Sequence, residues 1–411
     1  MLFFKECKKV IRSLTFWIYC VIIALFFITQ YFEDCREPVG PPYDGYKIVE
    51  NHDLIMEGAA EELANGFFSN RYICYPFGFY KAVRLNEKEQ KVIEKALTEI
   101  TGLSADELNA LGDEAEEYYS YDGLHEYNEV AVNSVPVDSS LTYERFTEIM
   151  GKVDKTLGGG SSFRPDDLVI HFSLVKMTKE DAQQEYEAFA SKDRVTRALA
   201  RLFCDYSGID LAILPVFVAA ALAAADRRRR MNDLIYSRSI PSARLIFTRY
   251  AALVATMLVP VLTTMIAAFI QALTNYDAGS MDMGALFTIP LFWLIPNIME
   301  ATAAGMLLTE VFSAGTAILV QFVCWFLSVL TGSAALTGRI RRFTLVCRHN
   351  SLFDREAFML CKDVFIFNRI FYMVLSLVMV ILTVIVYELK RGGRFNGIRL
   401  FGKGGILRRK A

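Results

Sequence analysis

The sequence predicts a mainly α-helical fold: a polytopic six-helix transmembrane bundle with a large, mostly helical α+β extracytoplasmic domain between spans 1 and 2. Of 411 residues, 53% are hydrophobic and 22% are charged, and the mean hydropathy is +0.29, whereas a soluble domain usually carries about a quarter charged residues. Six apolar runs each approach the roughly 20 residues that cross a bilayer. Residues 33–203 hold 33 acidic and 18 basic side chains, whereas the rest of the chain is basic.

This composition excludes several classes of protein. A hydrophobic chain of this kind is not a simple cytosolic enzyme, a disulfide-rich secreted module or a disordered tail protein. The formal net charge of −2 predicts no nucleic-acid partner. Because the acidic and basic parts are separated along the chain, we expect them to lie in two compartments.

The first span is predicted at residues 13–32, which contain no charged side chain. Basic residues precede the run and acidic residues follow it: Lys5, Lys8, Lys9 and Arg12, then Glu33, Asp34 and Glu37. The positive-inside rule therefore places the N-terminus in the cytoplasm. Since no small-residue cleavage site ends the run, we expect residues 1–32 to form an uncleaved anchor rather than a signal peptide.

Five more spans are predicted within residues 206–388. They are residues 206–225, 250–273, 284–309, 311–331 and 370–387. The first of them contains Asp210 and is interrupted by Pro215. Six spans return the chain to the cytoplasm, and the basic tail at residues 389–411 agrees with that orientation. Four arginines in the predicted outer loop between spans 5 and 6 disagree with it: Arg339, Arg341, Arg342 and Arg348.

The predicted extracytoplasmic domain, residues 33–205, has mainly helical patterns. Asn86 with Glu89 forms a capping box, in which a polar N-cap and an acid three residues later satisfy each other's backbone groups. The helix that it opens should end at Gly102. A second capping box and a further helix are expected at Ser104 with Glu107, and at residues 142–157, ended by Gly158.

Three other segments of this domain have weaker patterns. The alternation in residues 167–174 predicts a strand, and a helical pattern starts at Thr178 and should run into the second span. The glycines at 158–160 suggest a phosphate-binding loop only by composition, because no strand-then-helix frame surrounds them. We therefore expect a surface turn at these glycines.

The cysteines and histidines predict no metal site, because none of them has zinc-ligand spacing. On the predicted topology Cys35 and Cys74 share the outer domain, and Cys347 and Cys361 share the last outer loop. Each pair would form a disulfide in an oxidising compartment, or its members would be small buried hydrophobic side chains. No catalytic constellation or nucleotide-binding loop is recognisable, so no catalytic residue and no cofactor is predicted.

Glu300 is the one acidic residue well inside a predicted span. An intramembrane carboxylate is costly, so it indicates either a functional site or a hydrogen-bonded group that holds two helices together. Pro290 and Pro296 lie in the same span and are expected to bend it. The carbonyl groups that they free must be satisfied by neighbouring helices.

The first predicted cytoplasmic loop, residues 226–249, is amphipathic, because apolar side chains alternate with arginines and aspartates. One interpretation is an interfacial helix that binds anionic membrane lipid. The other is a coupling helix, a short segment that a separate motor protein pushes. Pro241 provides a turn for such a segment, and Tyr236 and Arg238 are of the types favoured as interface anchors.

This loop resembles the coupling-helix signature of ABC-2-type permeases, the membrane subunits of a class of ABC transporter. The resemblance lies in Asp226-Arg227-Arg228-Arg229, Asp233-Leu234-Ile235-Tyr236-Ser237 and Ile240-Pro241-Ser242-Ala243. The order of spans and domain, together with residues 367–372 and 387–391, also resembles permeases of Gram-positive bacteria. Asp226 departs from the pattern, because the family usually has a glutamate there.

The resemblance implies a permease subunit of the bacterial plasma membrane that exports an unidentified substrate. Energy would come from a separate ATP-binding cassette ATPase subunit, and a second permease subunit, identical or different, would complete the transporter. The residues implied in coupling are Asp226, Arg227, Asp233, Tyr236, Arg238, Pro241 and Arg244. The alternative is a membrane-anchored sensor or assembly protein whose acidic outer domain binds a ligand or a partner.

Overall fold

A computed structural model describes residues 2–49, 51–76, 81–113, 116–121, 126–132, 134–228, 240–333 and 340–395 of the chain. The described residues are mainly helical. They fall into two compact units. The inserted unit comprises residues 42–182, and the helical unit comprises residues 1–41 and 183–411.

The helical unit begins with two helices, α1 (Leu2–Ile11) and α2 (Leu14–Phe26). Ser13 lies between them and caps α2, because its hydroxyl accepts a hydrogen bond of 3.3 Å from the amide three residues on. α2 passes directly into π-helical turns at Phe27–Phe32. The stretch Leu14–Phe32 is 19 residues long and apolar enough to cross a membrane, which agrees with the first predicted span.

The inserted unit combines helices with three short antiparallel strand pairs. Its helices are α3 (His52–Ser69), α4 (Glu87–Thr101), α5 (Ala105–Asp113), α6 (Tyr143–Leu157), α7 (Leu168–Phe172) and the first part of α8 (Lys179–Glu187). The strand pairs are β1 (Tyr46–Ile48) with β6 (Leu174–Lys176), β2 (Tyr72–Cys74) with β3 (Lys81–Val83), and β4 (Glu116–Tyr121) with β5 (Glu126–Ala131). Helices and strands are therefore mixed, as an α+β domain requires.

The predicted helix boundaries in this unit are confirmed. The Asn86 side chain accepts hydrogen bonds from the amides of Lys88 (3.0 Å) and Glu89 (3.1 Å), and the Glu89 carboxylate accepts one from the Asn86 amide (3.0 Å). Gly102 ends α4 with a φ of 72°, in the left-handed region that glycine adopts readily. Two further boundaries agree: Ser104 with Glu107 before α5, and Thr142 and Gly158 at the ends of α6.

The glycines at 158–160 form a structural turn. All three have a positive φ, at 96°, 84° and 77°. The Gly160 carbonyl accepts a hydrogen bond of 2.7 Å from the Tyr75 amide. A Cβ atom at Gly160 would lie only 2.7 Å from the Tyr75 backbone, so any side chain there would displace the chain.

The predicted strand at residues 167–174 is wrong over most of its length. Residues 168–172 form α7, and only Leu174 enters a strand, β6. Leu168 is fully buried in the core of the inserted unit, and Phe172 packs against the same core. A short apolar run fits a helix or a strand equally well, and packing of these two side chains decides the outcome.

The predicted continuous helix from Thr178 into the second span is also wrong. α8 passes into π-helical turns at Ala188–Lys192, and residues 193–195 are not helical. Arg194 and Val195 have positive φ values of 46° and 55°, which are uncommon for such residues. The buried Asp193 carboxylate accepts hydrogen bonds from both Nη atoms of Arg201, at 3.0 and 2.5 Å, and so holds the interruption in place.

The remainder of the helical unit consists of seven helices in the described residues. They are α9 (Thr196–Leu211), α10 (Leu214–Arg228), α11 (Ser242–Asn275), α12 (Ala285–Val311), α13 (Ala314–Ser333), α14 (Arg355–Leu360) and α15 (Lys362–Arg391). α12 packs closely on α9, α10 and α15 and is the most buried of the long helices.

Five stretches of the described chain are long and apolar enough to cross a membrane. They are Leu14–Phe32, Thr196–Ala225, Ser242–Asn275, Ala285–Val311 and Lys362–Arg391. These five agree with five of the six predicted spans, although the second begins ten residues earlier than predicted. The remaining predicted span, residues 311–331, corresponds to α13, whose apolar part is the shorter stretch Ala314–Leu330. Its membrane crossing stays a prediction.

At one end of the helical unit, called the basal end, α1 meets the first residues of α11 and the last residues of α15. Arg249 Nε lies 3.5 Å from the Glu6 carboxylate. Arg391 donates a hydrogen bond of 3.0 Å to the Ile240 carbonyl. The N-terminal helix and the end of α15 therefore lie at the same end of this unit.

At the other end, called the apical end, the segment after α2 meets the end of α11. Gln271 donates a hydrogen bond of 2.8 Å to the Phe32 carbonyl. The start of α9 meets the segment before α12 there, because the Thr196 hydroxyl donates a hydrogen bond of 2.8 Å to the Asp282 carbonyl. Successive long helices thus run in alternating directions between the two ends.

Candidate functional site at a broken helix

The second apolar stretch is broken in its middle. α9 ends at Leu211 and α10 begins at Leu214. Pro215 lies in the first turn of α10, and proline has no amide hydrogen and would clash with the carbonyl four residues before it. The sequence therefore accounts for the break, which frees backbone carbonyl groups inside an apolar environment where each unsatisfied group is costly.

Side chains from two other helices satisfy these carbonyls. Asn297 of α12 donates at 3.3 Å to the Gly208 carbonyl, which lies beside the break and also accepts a backbone hydrogen bond of 3.2 Å from the Ala212 amide. From α13, the Trp325 indole donates to the Ile209 carbonyl at 2.8 Å. Gln321, also from α13, donates to the Ala212 carbonyl at 2.7 Å. The break is thus a junction of three long helical segments.

Glu300 joins the same junction. Its Oε2 accepts a hydrogen bond of 2.7 Å from the Gln321 side-chain amide, the group that also donates to the Ala212 carbonyl. Only 8% of Glu300 is exposed. Asp210, one turn from the break, is 9% exposed, and no side chain in the described ranges donates a hydrogen bond to its carboxylate. We call Asp210, Asn297, Glu300 and Gln321 the polar centre.

Arg369 is connected to this polar centre and has no exposed surface. Its Nη1 donates to Asn297 Oδ1 at 2.8 Å and to the Trp293 carbonyl at 3.0 Å. Its Nη2 donates to the Leu345 carbonyl at 3.2 Å and to Cys347 Sγ at 3.1 Å. A buried guanidinium that donates to these four groups and also to Asn368 Oδ1 fixes the position of each of them.

The sequence did not indicate this role for Arg369. In the sequence, Arg369 stands out only as part of residues 367–372, the closing segment that resembles permeases. One feature of the sequence could have indicated it: Arg369 directly precedes a long apolar run, and a charge at the end of a membrane-spanning segment needs a partner. Apart from Asn368, the partners come from residues more than 20 positions away in the sequence, so their identity required the structure.

The arginine-bearing loop between α13 and α14 folds against the apical parts of the helices. The Asn368 amide donates to the carbonyls of Arg341 (2.8 Å), Arg342 (3.1 Å) and Thr344 (2.8 Å). The helix Lys362–Arg391 therefore binds the backbone of this loop, and the Arg342 guanidinium also lies 5.9 Å from the centre of its Phe367 ring. Arg339 lies outside the described residues.

The same loop is held a second time by Asp205 of α9. The Asp205 carboxylate accepts hydrogen bonds from the backbone amides of His349 (2.6 Å) and Asn350 (2.9 Å). Burial lowers the pKa of His349, so its ring is neutral at neutral pH, with Nε2 3.0 Å from the Phe353 carbonyl. Two polar side chains of the long helices thus fix this loop at residues 341–344 and at residues 349–350.

The structure brings together only some of the residues predicted to couple the chain to an ATPase. Asp226 and Arg227 lie in the last turns of α10. Pro241 precedes α11, and Arg244 is exposed on its first turn. Asp233, Tyr236 and Arg238 fall outside the described residues.

The boundaries of the predicted coupling segment are tied to the basal end of α15. The Ser242 hydroxyl donates to the Glu388 carboxylate. Lys390 Nζ lies 2.8 Å from the Glu310 carboxylate of α12, in a largely buried ion pair. Together with the contact from Arg391 to Ile240, these bonds join the starts and ends of three long helices at the point where the segment leaves the described chain.

All eight cysteines are free thiols. Neither predicted disulfide is therefore present, and the buried members have other neighbours. Cys347 accepts the hydrogen bond from Arg369, and Cys74 lies in the core of the inserted unit. The interpretation of these residues as small buried side chains fits the structure better than oxidised pairs.

No family model matches this chain, and no curated protein and no solved structure is similar to it. The geometry of the broken helix, its polar centre and the basal end is therefore what supports a function.

Proposed function

We propose that this chain is the membrane permease subunit of an ABC-2-type transporter of the bacterial plasma membrane, which exports an unidentified substrate with energy from a separate ATP-binding subunit. One observation carries the proposal: α10 joins the predicted coupling segment, at its basal end, to the helix break and Glu300, at its other end. Discontinuous helices near the middle of a bundle commonly form transport sites.

α10 is suited to transmit a displacement. Its 15 residues span about 22 Å at the usual helical rise. It packs tightly on α12, where a Cβ atom at Gly305 would lie 2.9 Å from the Ala219 Cβ and 3.2 Å from Val216. Small residues at such a contact let two helices approach closely. A push on the basal end of α10 would therefore be carried to the break and not absorbed by loose packing.

The polar centre is the place where such a push would have a consequence. Gln321 donates to both Glu300 and the Ala212 carbonyl. A shift of α10 together with α12 relative to α13 would move both acceptors away from Gln321. Glu300 would then need a new partner, and a substrate or a water-filled path could provide it.

We further propose that α13 is the sixth crossing. It runs from the basal end at Ala314 towards the apical loop, where the Ser328 hydroxyl accepts a hydrogen bond from the Val346 amide. The basal end then faces the cytoplasm, because α1 and the end of α15 are rich in lysine and arginine. The inserted unit would be extracytoplasmic, and a second permease subunit would complete the transporter.

The test replaces both Tyr236 and Arg238 by alanine in the tagged full chain. We expect loss of co-purification of the ATP-binding subunit from the native host, together with loss of stimulated ATP turnover, because truncating an interface anchor costs more than about 1 kcal/mol. The matched control is Tyr46→Ala with Arg36→Ala, two exposed residues outside the segment. Unchanged co-purification and turnover would refute coupling, whereas loss of lipid binding on removal of the arginines at 227–230 would then support an interfacial anchor.

The inserted unit favours the second candidate, a sensor or assembly protein. Residues 42–182 contain 27 acidic and 13 basic side chains. This excess would attract a basic ligand or partner. If the chain recruits no ATPase from its host, and if a partner is lost when exposed acids of the inserted unit are replaced by amides, the sensor interpretation replaces the permease.

A further inference from the structure

A cavity of about 790 Å³ lies at the basal end of the helical unit. This volume is within the range of about 300–1,000 Å³ typical of small-molecule sites. Its walls come from α1, α2, α10, α11, α12 and α15. The cavity is distinct from the polar centre, since none of the four side chains of that centre lines it.

One part of the wall is apolar. Leu14, Leu222, Leu253 and Met306 contribute to it from four different helices. A cavity with such a wall favours a ligand that has a hydrocarbon part, because burying apolar surface stabilises a complex by roughly 25 cal/mol per Å².

The other part of the wall carries excess positive charge. Among the described residues, Lys9, Arg12, Arg249 and Arg391 line it, together with two acids, Glu6 and Glu310.

Both acids are already engaged by cations. Glu6 lies 2.7 Å from Lys9 and 3.5 Å from Arg249, and Glu310 is bound by Lys390 at 2.8 Å. Arg12 is exposed and has no acidic partner in the described chain. The excess charge therefore favours an anionic ligand.

The level of the cavity along the helices indicates where such a ligand comes from. Arg12 is followed within two residues by Leu14, which is 76% exposed, and then by Trp17, which is exposed and donates to the Ile11 carbonyl at 2.9 Å. Tryptophan is enriched at the membrane–water boundary, and an amphipathic helix such as α1 lies in that plane. The cationic wall is thus at headgroup level, and the apolar wall is on the hydrocarbon side.

We propose that this cavity binds one anionic glycerophospholipid, with its phosphate between Arg12 and Arg249 and an acyl chain along Leu222 and Met306. Charge complementarity selects the headgroup, and the apolar wall selects a lipid over a soluble phosphate. A lipid here would contact α10 and α11 on either side of the predicted coupling segment. The proposal does not depend on transport or on an ATP-binding partner.

The test is native mass spectrometry of the delipidated full chain in detergent, titrated with phosphatidylglycerol or phosphatidylcholine. We expect one tightly retained phosphatidylglycerol and at least tenfold weaker binding of phosphatidylcholine. Arg12→Gln should weaken phosphatidylglycerol about fivefold, since a basic residue near an anionic surface contributes about 1 kcal/mol. The matched control is Arg394→Gln, which removes an exposed arginine that follows α15 and does not line the cavity.

Two further arms identify the source of the phosphate. Leu222→Trp should obstruct the apolar part of the cavity and weaken lipid retention, and a thermal unfolding midpoint close to that of the parent chain would show that the fold persists. If that variant is destabilised, Arg12→Gln decides alone, because Arg12 has no described contact to lose. An equal effect of Arg394→Gln would overturn the proposal in favour of non-specific surface charge. Displacement of the lipid by millimolar inorganic phosphate would overturn it in favour of a free-phosphate site.

Discussion

The two units of this chain bury polar groups in different ways. In the inserted unit the fully buried side chains are mainly apolar, as with Ile55, Leu97 and Phe146. In the helical unit a charged arginine, Arg369, and an acid, Glu300, are buried among the long helices, each with hydrogen-bond partners from other segments. Both units have an apolar core, and the helical unit also buries a set of polar contacts among its long helices.

This difference follows from the two solvents. In water, burial of apolar surface drives helices together, so an apolar core is sufficient. In a membrane the lipid tails are as apolar as leucine, and helices are held by close packing and by hydrogen bonds between them. We therefore expect substitutions of buried polar residues to lower the unfolding free energy most in the helical unit. In the inserted unit we expect smaller losses, from substitutions that remove a helix cap.

The largest effect is expected from Arg369→Met. This change leaves the Trp293 and Leu345 carbonyls and Asn297 Oδ1 without their donor. Each buried orphaned acceptor costs about 1–3 kcal/mol, so we expect a loss of about 3–5 kcal/mol of unfolding free energy. Thermal unfolding in detergent, followed by tryptophan fluorescence, measures it. The control Arg341→Met removes an exposed side chain of the loop between α13 and α14, and an equal loss from the control would contradict this role for Arg369.

The next effect concerns close packing rather than hydrogen bonds. Gly305→Val would place a side chain against Ala219 and Val216 of α10, where even a Cβ atom would lie 2.9 Å from its neighbour. Overpacking of this kind costs about 1–3 kcal/mol. Gly279→Val is the control, because nothing lies within 4 Å of its Cβ position. The same unfolding assay measures both, and equal midpoints would show that the contact of α10 with α12 is looser than the structure indicates.

A smaller effect is expected in the inserted unit from Asn86→Ala. The substitution removes the side-chain acceptor for the Lys88 and Glu89 amides at the start of α4. Loss of such a cap costs about 1 kcal/mol. Lys88→Ala, in the same first turn, leaves the cap intact and is the control. Urea unfolding of the full chain is followed by circular dichroism. The unfolding free energies of the two variants, taken from the transition of the inserted unit, should differ by that amount.

The capping boxes could be predicted because all of their information is local. Asn86 and Glu89 are three residues apart, and their mutual hydrogen bonds follow from that spacing alone. Five of the apolar spans were predictable for a similar reason, since length and composition are sufficient to define them. The strand predicted at residues 167–174 of the inserted unit was wrong, because a five-residue apolar helix has no local feature that distinguishes it from a strand.

The polar centre could not be predicted, because its members are far apart in the sequence. Glu300 was identified as a lone acid, but its link to the break passes through Gln321, which bonds a carbonyl 109 residues earlier. Arg369 likewise bonds Asn297, 72 residues earlier. Sequence patterns show that such groups need partners, and only the packing of the helices determines which partners they have.

The smallest effect on stability is expected at an ion pair of the inserted unit. It tests whether this polar contact stabilises its unit as the buried polar contacts stabilise the helical unit. Lys47 of β1 lies 2.6 Å from the Asp181 carboxylate of α8. The Thr178 amide and hydroxyl also donate to that carboxylate, at 3.0 and 2.9 Å. The hydrogen bond from Lys47, and then those from Thr178, lower the pKa of Asp181 to about 2.

The sign of the resulting pH dependence follows from that shift. The carboxyl group of an unfolded chain has a pKa of about 3.9, so between that value and about 2 the folded state remains ionised while the unfolded state takes up a proton. The contribution of Asp181 is therefore complete above about pH 4–5 and is lost as the pH falls through about 2. We expect Asp181→Asn to lower the unfolding midpoint at pH 7, with the difference from the parent chain shrinking towards zero as the pH approaches 2. The control is Asp44→Asn, whose fully exposed carboxylate lies 3.8 Å from Lys176 and should give almost no difference at any pH. If the unfolding midpoint of Asp181→Asn stays below that of the parent chain by the same amount from pH 7 to 2, the side chain acts through packing rather than through its charge. The ion pair itself would then contribute no stability to the inserted unit.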